Sequence, residues 1–290
     1  MLSGLQGLQT RRHGPSSPVA AEIVANLCKP SPPHDTVAAV PDFLQFPYRC
    51  DRLDAEGGLA VWWLATEAAK PSDMERWLRS LDRGERERAA RFRIAADRRE
   101  FVAAHALLRT MLTYHLGVPP TAWRFLADAN GKPSIDPNVG PHQLQFNLSH
   151  TRGLVAVALA SRGAVGVDVE EIDEAKADLA IAEAYFARSE VEMLQKAPPS
   201  ERARCFFRLW TLKEAYIKAI GKGLSAPLNS FAFTFEPIRI AFLSGGENDA
   251  SNWRFSTLPA SDRHVLSIAA HRPGCDALDL AIRALSPRDL

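Results

Sequence analysis

The chain has 290 residues, 46% apolar and 24% charged, which excludes wholesale disorder and leaves room for one large domain or two small ones. Basic residues number 35 and acidic ones 34, so the net charge of +1 lacks the basic excess of a dedicated nucleic-acid binder. No run of about 18 apolar residues offers a membrane span, and Cys28, Cys50, Cys205 and Cys275 are too far apart for a metal knuckle, so they read as reduced thiols of a cytoplasmic protein.

Residues 1–41 carry Gly14-Pro15-Ser16-Ser17-Pro18 and Pro30-Ser31-Pro32-Pro33 with little periodicity, and a flexible extension is expected there; a transit peptide and a start codon placed too early are the other readings. Leu59–Leu64 predicts a buried strand. Asp82-Arg-Gly-Glu85 has capping-box spacing and opens a charged helix through Phe92. A second helix is expected from Asp97 to Leu116, with Phe101, His105, Leu108, Leu112 and His115 on one face and Gly117 as its stop. Strands are then expected at Gln143–Ser149, Leu154–Ala160 and Ala164–Glu170. The pattern restarts with a capping box at Ser189-Glu-Val-Glu192 and a helix from Ala203 to Ile220 that ends at Gly221. A closing meander runs through Phe231–Phe235, Arg239–Leu243, Asn252–Ser256 and His264–Ala269. Capping box, long helix, glycine stop and meander thus occur twice, and aligning Gly117 with Gly221 sets Arg109 over Lys213. The expected fold is α+β, with two similar lobes related by a pseudo-twofold duplication. Each has a long helix on a small antiparallel sheet, with the active site in the cleft between them. The expected division is 1–41, 42–163 and 164–290.

Four segments carry the candidate chemistry. In Gly166-Val-Asp168-Val-Glu170 the strand alternation sends the valines one way and the two carboxylates the other, about 7 Å apart. Such a pair suits a hard divalent cation, and equally a solvated strand face. In Trp210-Thr-Leu-Lys213-Glu214-Ala-Tyr-Ile-Lys218 three charges sit on a helix that is apolar nearly all round, where unpaired burial is costly; an i,i+4 Glu214–Lys218 surface pair is the plainer reading. Asn147-Leu-Ser149-His150 brings a hydroxyl and an imidazole to a strand end, either as phosphate donors or merely in solvent. Asn130-Gly131-Lys132-Pro133 marks a turn with a lysine in it.

In this order and spacing, the Asn147–His150, Gly166–Glu170 and Trp210–Lys218 segments, with Gly221-Lys222-Gly223, resemble the 4′-phosphopantetheinyl transferase superfamily. The length and the Gly131-Lys132-Pro133 turn are similar to its surfactin-synthetase-activating type, a monomeric pseudo-dimer, and the likeness covers roughly residues 45–270. The resemblance implies Mg²⁺-dependent transfer of phosphopantetheine from coenzyme A to a serine of an apo acyl or peptidyl carrier protein, with 3′,5′-ADP released. It implies Asp168, Glu170 and Glu214 as metal ligands, and Glu214 also as the base. It implies Lys218 as the group that stabilises or protonates the leaving phosphate, and Lys213 and Trp210 as residues needed for activity, Trp210 in a structural role. Arg109, Lys132, Ser149, His150 and Lys218 would contact coenzyme A. The family's phosphate-gripping lysines are replaced by a stretch with Arg91, Arg93, Arg98 and Arg99. Two alternatives are another Mg²⁺-dependent phosphoryl-transfer enzyme and a non-enzymatic coenzyme A or carrier-protein binding module; neither a nucleic-acid nor a membrane partner is expected.

Overall fold

The computed structural model describes Leu53 and residues 58–290, apart from 129–130, 142, 223–225, 244–249 and 276–277; the extension expected over 1–41 and Cys50 lie outside the described residues. Two lobes follow one another. The first opens with β1 (Leu59–Ala65), α1 (Pro71–Ser80), α2 (Arg83–Ala90) and α3 (Ala95–Leu116). A small hairpin, β2 (Phe125–Ala127) and β3 (Pro133–Ile135), precedes the long hairpin β4 (Gln145–Thr151) and β5 (Leu154–Ala160). The second lobe has β6 (Val165–Glu171), α4 (Leu179–Tyr185), α5 (Arg188–Lys196) and α6 (Pro199–Ile220). It continues with β7 (Phe231–Phe235), β8 (Ile238–Phe242), β9 (Trp253–Ser261) and β10 (His264–His271), and β11 (Leu280–Leu285) ends the strand list.

Local chemistry sets the helix ends. Asp82 and Glu85 close the expected capping box of α2, each side chain accepting the other's amide. Gly117 and Gly221 both take left-handed φ, 74° and 67°, and terminate α3 and α6. The second capping box forms only by half and two residues before its expected place: Ala187, the N-cap of α5, has no side-chain acceptor, and Glu190, not Glu192, accepts its amide. Helix α1, absent from the expected elements, starts on Pro71 and buries Trp77.

The layers run α3, first sheet, second sheet, α6. The first sheet has the order β11-β1-β5-β4 and the second β6-β10-β9. Helix α3 covers one face of the first sheet with Phe101, Leu108 and Leu112 among the buried residues. Helix α6 covers the second through Leu209, Leu212 and Ala215. The remaining faces pack on each other: Val61, Ala156 and Ala158 meet Val165, Val167, Val169, Leu266 and Ile268. The valine side of the strand alternation is therefore the shared apolar layer, and the Asp168 side turns to α6. The first sheet departs from the expected antiparallel form, because β11 lies parallel to β1. The last residues of the chain thus return to the first lobe, where Leu285 and Leu290 pack against its core.

Candidate active site

The site lies along the seam between β4 and β6. Backbone ladders hold β4 to β5 and β6 to β10. Between β4 and β6 the bonds come instead from side chains: Asn147 Oδ1, Ser149 Oγ and Thr151 Oγ1 accept the amides of Val167, Val169 and Glu171 at 2.9, 3.3 and 3.3 Å. The strand β4 extends two residues past its expected end, so Ser149 and Thr151 share the face toward β6. Gly166 permits the other approach. A Cβ built there would stand 2.0 Å from the Ala215 carbonyl oxygen and 2.6 Å from the Ala219 amide, so α6 sits directly on the β6 backbone.

That contact brings Lys218 to the seam. Its ammonium donates to Asp168 Oδ1 at 2.7 Å, to Ser149 Oγ at 2.9 Å and to the Val167 carbonyl at 3.3 Å. Ser149 passes its own proton to Asp168 Oδ1 at 2.8 Å. Asp168 Oδ2 is buried without a partner. Burial, the Asp168 charge and, more weakly, the Glu214 charge push the Glu170 carboxyl far up, against the pull of Lys218 and Thr151. Burial and Asp168 likewise raise Glu214 to about 7, with Lys218 opposing. Asp168, Glu170, Glu214 and Lys218 therefore form one electrostatic cluster drawn from both motifs.

The structure puts two other expected site residues elsewhere. Lys213 is fully buried, and its three protons have three acceptors: Glu190 at 2.7 Å and the Leu228 and Phe231 carbonyls at 2.8 Å each. Arg109, also fully buried, donates to Glu85, Asp82 and the Pro120 and Trp123 carbonyls. Neither has a donor left for a ligand. They are equivalent ties in the two lobes, each a cation of the long helix paired with the third residue of the preceding capping-box helix. Glu190 was missed in the sequence because its partner is 23 positions away, and the only local signal was its capping spacing. Trp210 stacks on Phe206 at 6.2 Å, in the core of the second lobe.

Lys132 also bonds within the protein, its ammonium reaching the Ala219 carbonyl at 2.7 Å near the C-terminal end of α6. His150 faces away from Ser149. Burial, with the charges of Lys218, His105 and Arg88 nearby, holds its imidazole down to about 4, so it is neutral at pH 7. His105 accepts or donates at Glu85 through Nδ1, 2.9 Å away, and its Nε2 is buried without a partner. Arg88, over the Phe101 ring at 5.0 Å, and His105 were not among the expected site residues; only their place beside the expected His150 marks them.

Among the described residues, no three His, Cys, Asp or Glu side chains already stand together as a metal-holding cluster. The donor chemistry nevertheless fits a hard cation: three carboxylates burdened by mutual repulsion, and one of their oxygens buried and unpartnered.

Over 190 residues the chain is 33% identical to the 4′-phosphopantetheinyl transferase HetI of Nostoc, a match covering 66% of this chain and 78% of that protein. The chain belongs to the 4′-phosphopantetheinyl transferase superfamily. The superfamily model matches residues 164–269, and the model described as 4′-phosphopantetheinyl transferase, N-terminal, matches residues 67–162. The two matches meet at the β5–β6 turn. A 4′-phosphopantetheinyl transferase of Bacillus subtilis is 29% identical over 210 residues, 71% of this chain and 89% of its own. The transferase gsp of Aneurinibacillus migulanus is 39% identical over 125 residues, 43% of this chain and 49% of its own. Among the described residues no helix is long and apolar enough to cross a membrane.

Proposed function

We propose that the seam cluster transfers the 4′-phosphopantetheine group of coenzyme A to a serine of an apo acyl or peptidyl carrier protein. The observation that carries the assignment of roles is the placement of Lys218 between Asp168 and Ser149, with Glu214 one turn earlier on the same helix. The serine Oγ attacks the phosphorus that bears the pantetheine arm. An O–P bond forms as the bond from that phosphorus to the adenosine phosphate oxygen breaks, and 3′,5′-ADP leaves. Such chemistry asks the protein chiefly to position reactants and neutralise charge.

In this reading Glu214 takes the serine proton. Before the cation binds, burial and the Asp168 charge hold its carboxyl at about 7, and a cation held beside it would draw that value down, leaving the carboxylate to accept the serine proton. Lys218 sets its ammonium against the leaving phosphate oxygen. Mg²⁺, held by Asp168, Glu170 and Glu214, would offset the charge of the pyrophosphate. Arg109 spends its donors inside the protein, so the phosphate contact expected of it falls to Arg88, His105 and His150, while Lys132, with one proton on the Ala219 carbonyl, keeps two for coenzyme A. A buried imidazole nitrogen without a partner, beside an arginine, supports an anion there.

The test is the intact mass of apo carrier proteins incubated with the full chain, coenzyme A and Mg²⁺. Wild type should add one phosphopantetheine arm, and a chelator should abolish the gain. Glu214→Ala should keep its fold and coenzyme A binding and lose transfer. Retained transfer would remove Glu214 from the mechanism, and binding of coenzyme A without transfer to any carrier would favour a binding module.

A further inference from the structure

Bonds across the β4–β6 seam repeat every second residue. Ser149 Oγ accepts the Val169 amide and donates to Asp168 Oδ1. Thr151 Oγ1 accepts the Glu171 amide at 3.3 Å and donates to Glu170 Oε2 at 3.2 Å. Each hydroxyl thus joins an amide of β6 to the carboxylate one residue before it. Asn147 stands one step earlier and accepts the Val167 amide, but the residue before Val167 is Gly166, which carries no carboxylate.

A hydroxyl has a single proton. With its lone pair turned to the β6 amide, that proton is aimed at one oxygen of one carboxylate. At Asp168 the result is visible: Oδ1 receives Ser149 and Lys218, and Oδ2 is left buried and unpartnered. At Glu170 the same device holds Oε2. A glutamate has three side-chain torsions and on a strand nothing local fixes them, so the hydroxyl decides which rotamer is held.

We infer that Thr151 is a positioning residue for the transfer reaction: it holds Glu170 in the rotamer that offers Oε1 to the divalent cation, as Ser149 does for Asp168 Oδ2. The inference rests on the reading of these acids as the cation's ligands. Residues that orient ligands in this way typically govern metal affinity by ten- to hundredfold.

The test compares wild type, Thr151→Val, Thr151→Ser and Glu170→Gln. Mg²⁺ and Mn²⁺ affinities are measured by calorimetry in the presence of coenzyme A, with the unfolding temperature and the KM for Mg²⁺ alongside. Thr151→Val should weaken metal binding about tenfold and raise the KM for Mg²⁺ in step, with kcat at saturating metal near that of wild type. Thr151→Ser should restore both. A lowered unfolding temperature with unchanged metal affinity in Thr151→Val, while Glu170→Gln loses the metal, would overturn the inference and leave the ligand reading intact. Unchanged affinity in Glu170→Gln as well would overturn both. Should Thr151→Val fail to fold, Thr151→Cys, whose thiol is a weak donor, carries the same comparison with the same expected loss.

Discussion

Gly166 offers the sharpest perturbation. In Gly166→Ala the new Cβ would meet the Ala215 carbonyl oxygen at 2.0 Å, where ordinary contact begins at 3.4 Å, so α6 and β6 must separate by about 1.4 Å. The three nearest atoms, Ala215 O, Ala219 N and Ala215 C, are all backbone atoms of one helix, and no rotamer change can absorb the clash. Overpacking of this kind costs about 1–3 kcal/mol or more. The larger effect is on geometry. Helix α6 carries Glu214 and Lys218, β6 carries Asp168, and a misplacement of about 1 Å between reacting groups costs about 10²-fold in rate. The expected result is a folded protein with a lowered unfolding temperature and at least a hundredfold loss of transfer. Gly117→Ala is the control: its Cβ meets nothing within 4 Å, so only the left-handed φ of 74° is strained, at about 1–2 kcal/mol, and transfer is unaffected. Circular dichroism, thermal unfolding and the carrier-mass assay together decide the matter. If Gly166→Ala transfers at the wild-type rate, the close packing of α6 on β6 does not set the site.

Two more predictions concern charge. Lys213→Met leaves the fully buried Glu190 carboxylate without its cation and should cost about 3–5 kcal/mol in thermal or urea unfolding; wild-type stability with transfer alone lost would return Lys213 to the catalytic set. In metal-free protein, Glu214 at about 7 when folded, against an ordinary 4.5, keeps a proton that the unfolded chain gives up. Stability should therefore fall as pH rises between these values, by on the order of 3 kcal/mol, and level off above. Glu214→Gln should reduce that slope, and superimposable unfolding profiles from about pH 5 to about pH 8 would refute the shift.

Much of this was legible because it is local. Helix stops, the Asp82 capping box and the alternation in Gly166–Glu170 depend on a few consecutive residues, and the structure shows each. The duplication was legible for the same reason, since the two long helices end on the same signal. What was not legible depends on partners far along the chain. Ser189 and Glu192 match the capping pattern better than Ala187 and Glu190, and it is the buried Lys213 that sets the helix on Glu190. A cation inside an apolar helix face announces that something compensates it, but not whether that is a substrate or a glutamate 23 or 24 residues upstream. Strand β11 pairs with a strand more than 200 positions earlier, so no window of sequence could place it. Thr151 lies two residues past the expected strand end at Ser149, and its place in the row of β4 side chains follows only from the length of the strand.

The duplication also shows why one seam is chemically equipped and its counterpart is not. Aligning the glycine stops sets Tyr114 over Lys218. Tyr114 packs against Trp62 of β1 at 5.2 Å, as Lys218 meets Asp168 of β6. Strand β1 pairs with β5 as β6 pairs with β10, both antiparallel, so Trp62 occupies in the first lobe the place that Asp168 holds in the second. On the outer side of β6 lies β4, joined through the Asn147 amide oxygen and the Ser149 and Thr151 hydroxyls. On the outer side of β1 lies β11, joined by a full parallel ladder, and its Arg283 stands over both Trp62 and Tyr114, at 4.7 and 4.9 Å. Backbone bonds join that second seam where side-chain bonds join the first, and there they bring polar groups to the strand edge. The two halves share a frame of long helix, capping-box glutamate and buried cation, which sets stability. In the proposed function, the choice of a backbone ladder or a row of polar side chains at the strand edge is what separates the seam that holds the reaction from the one that does not.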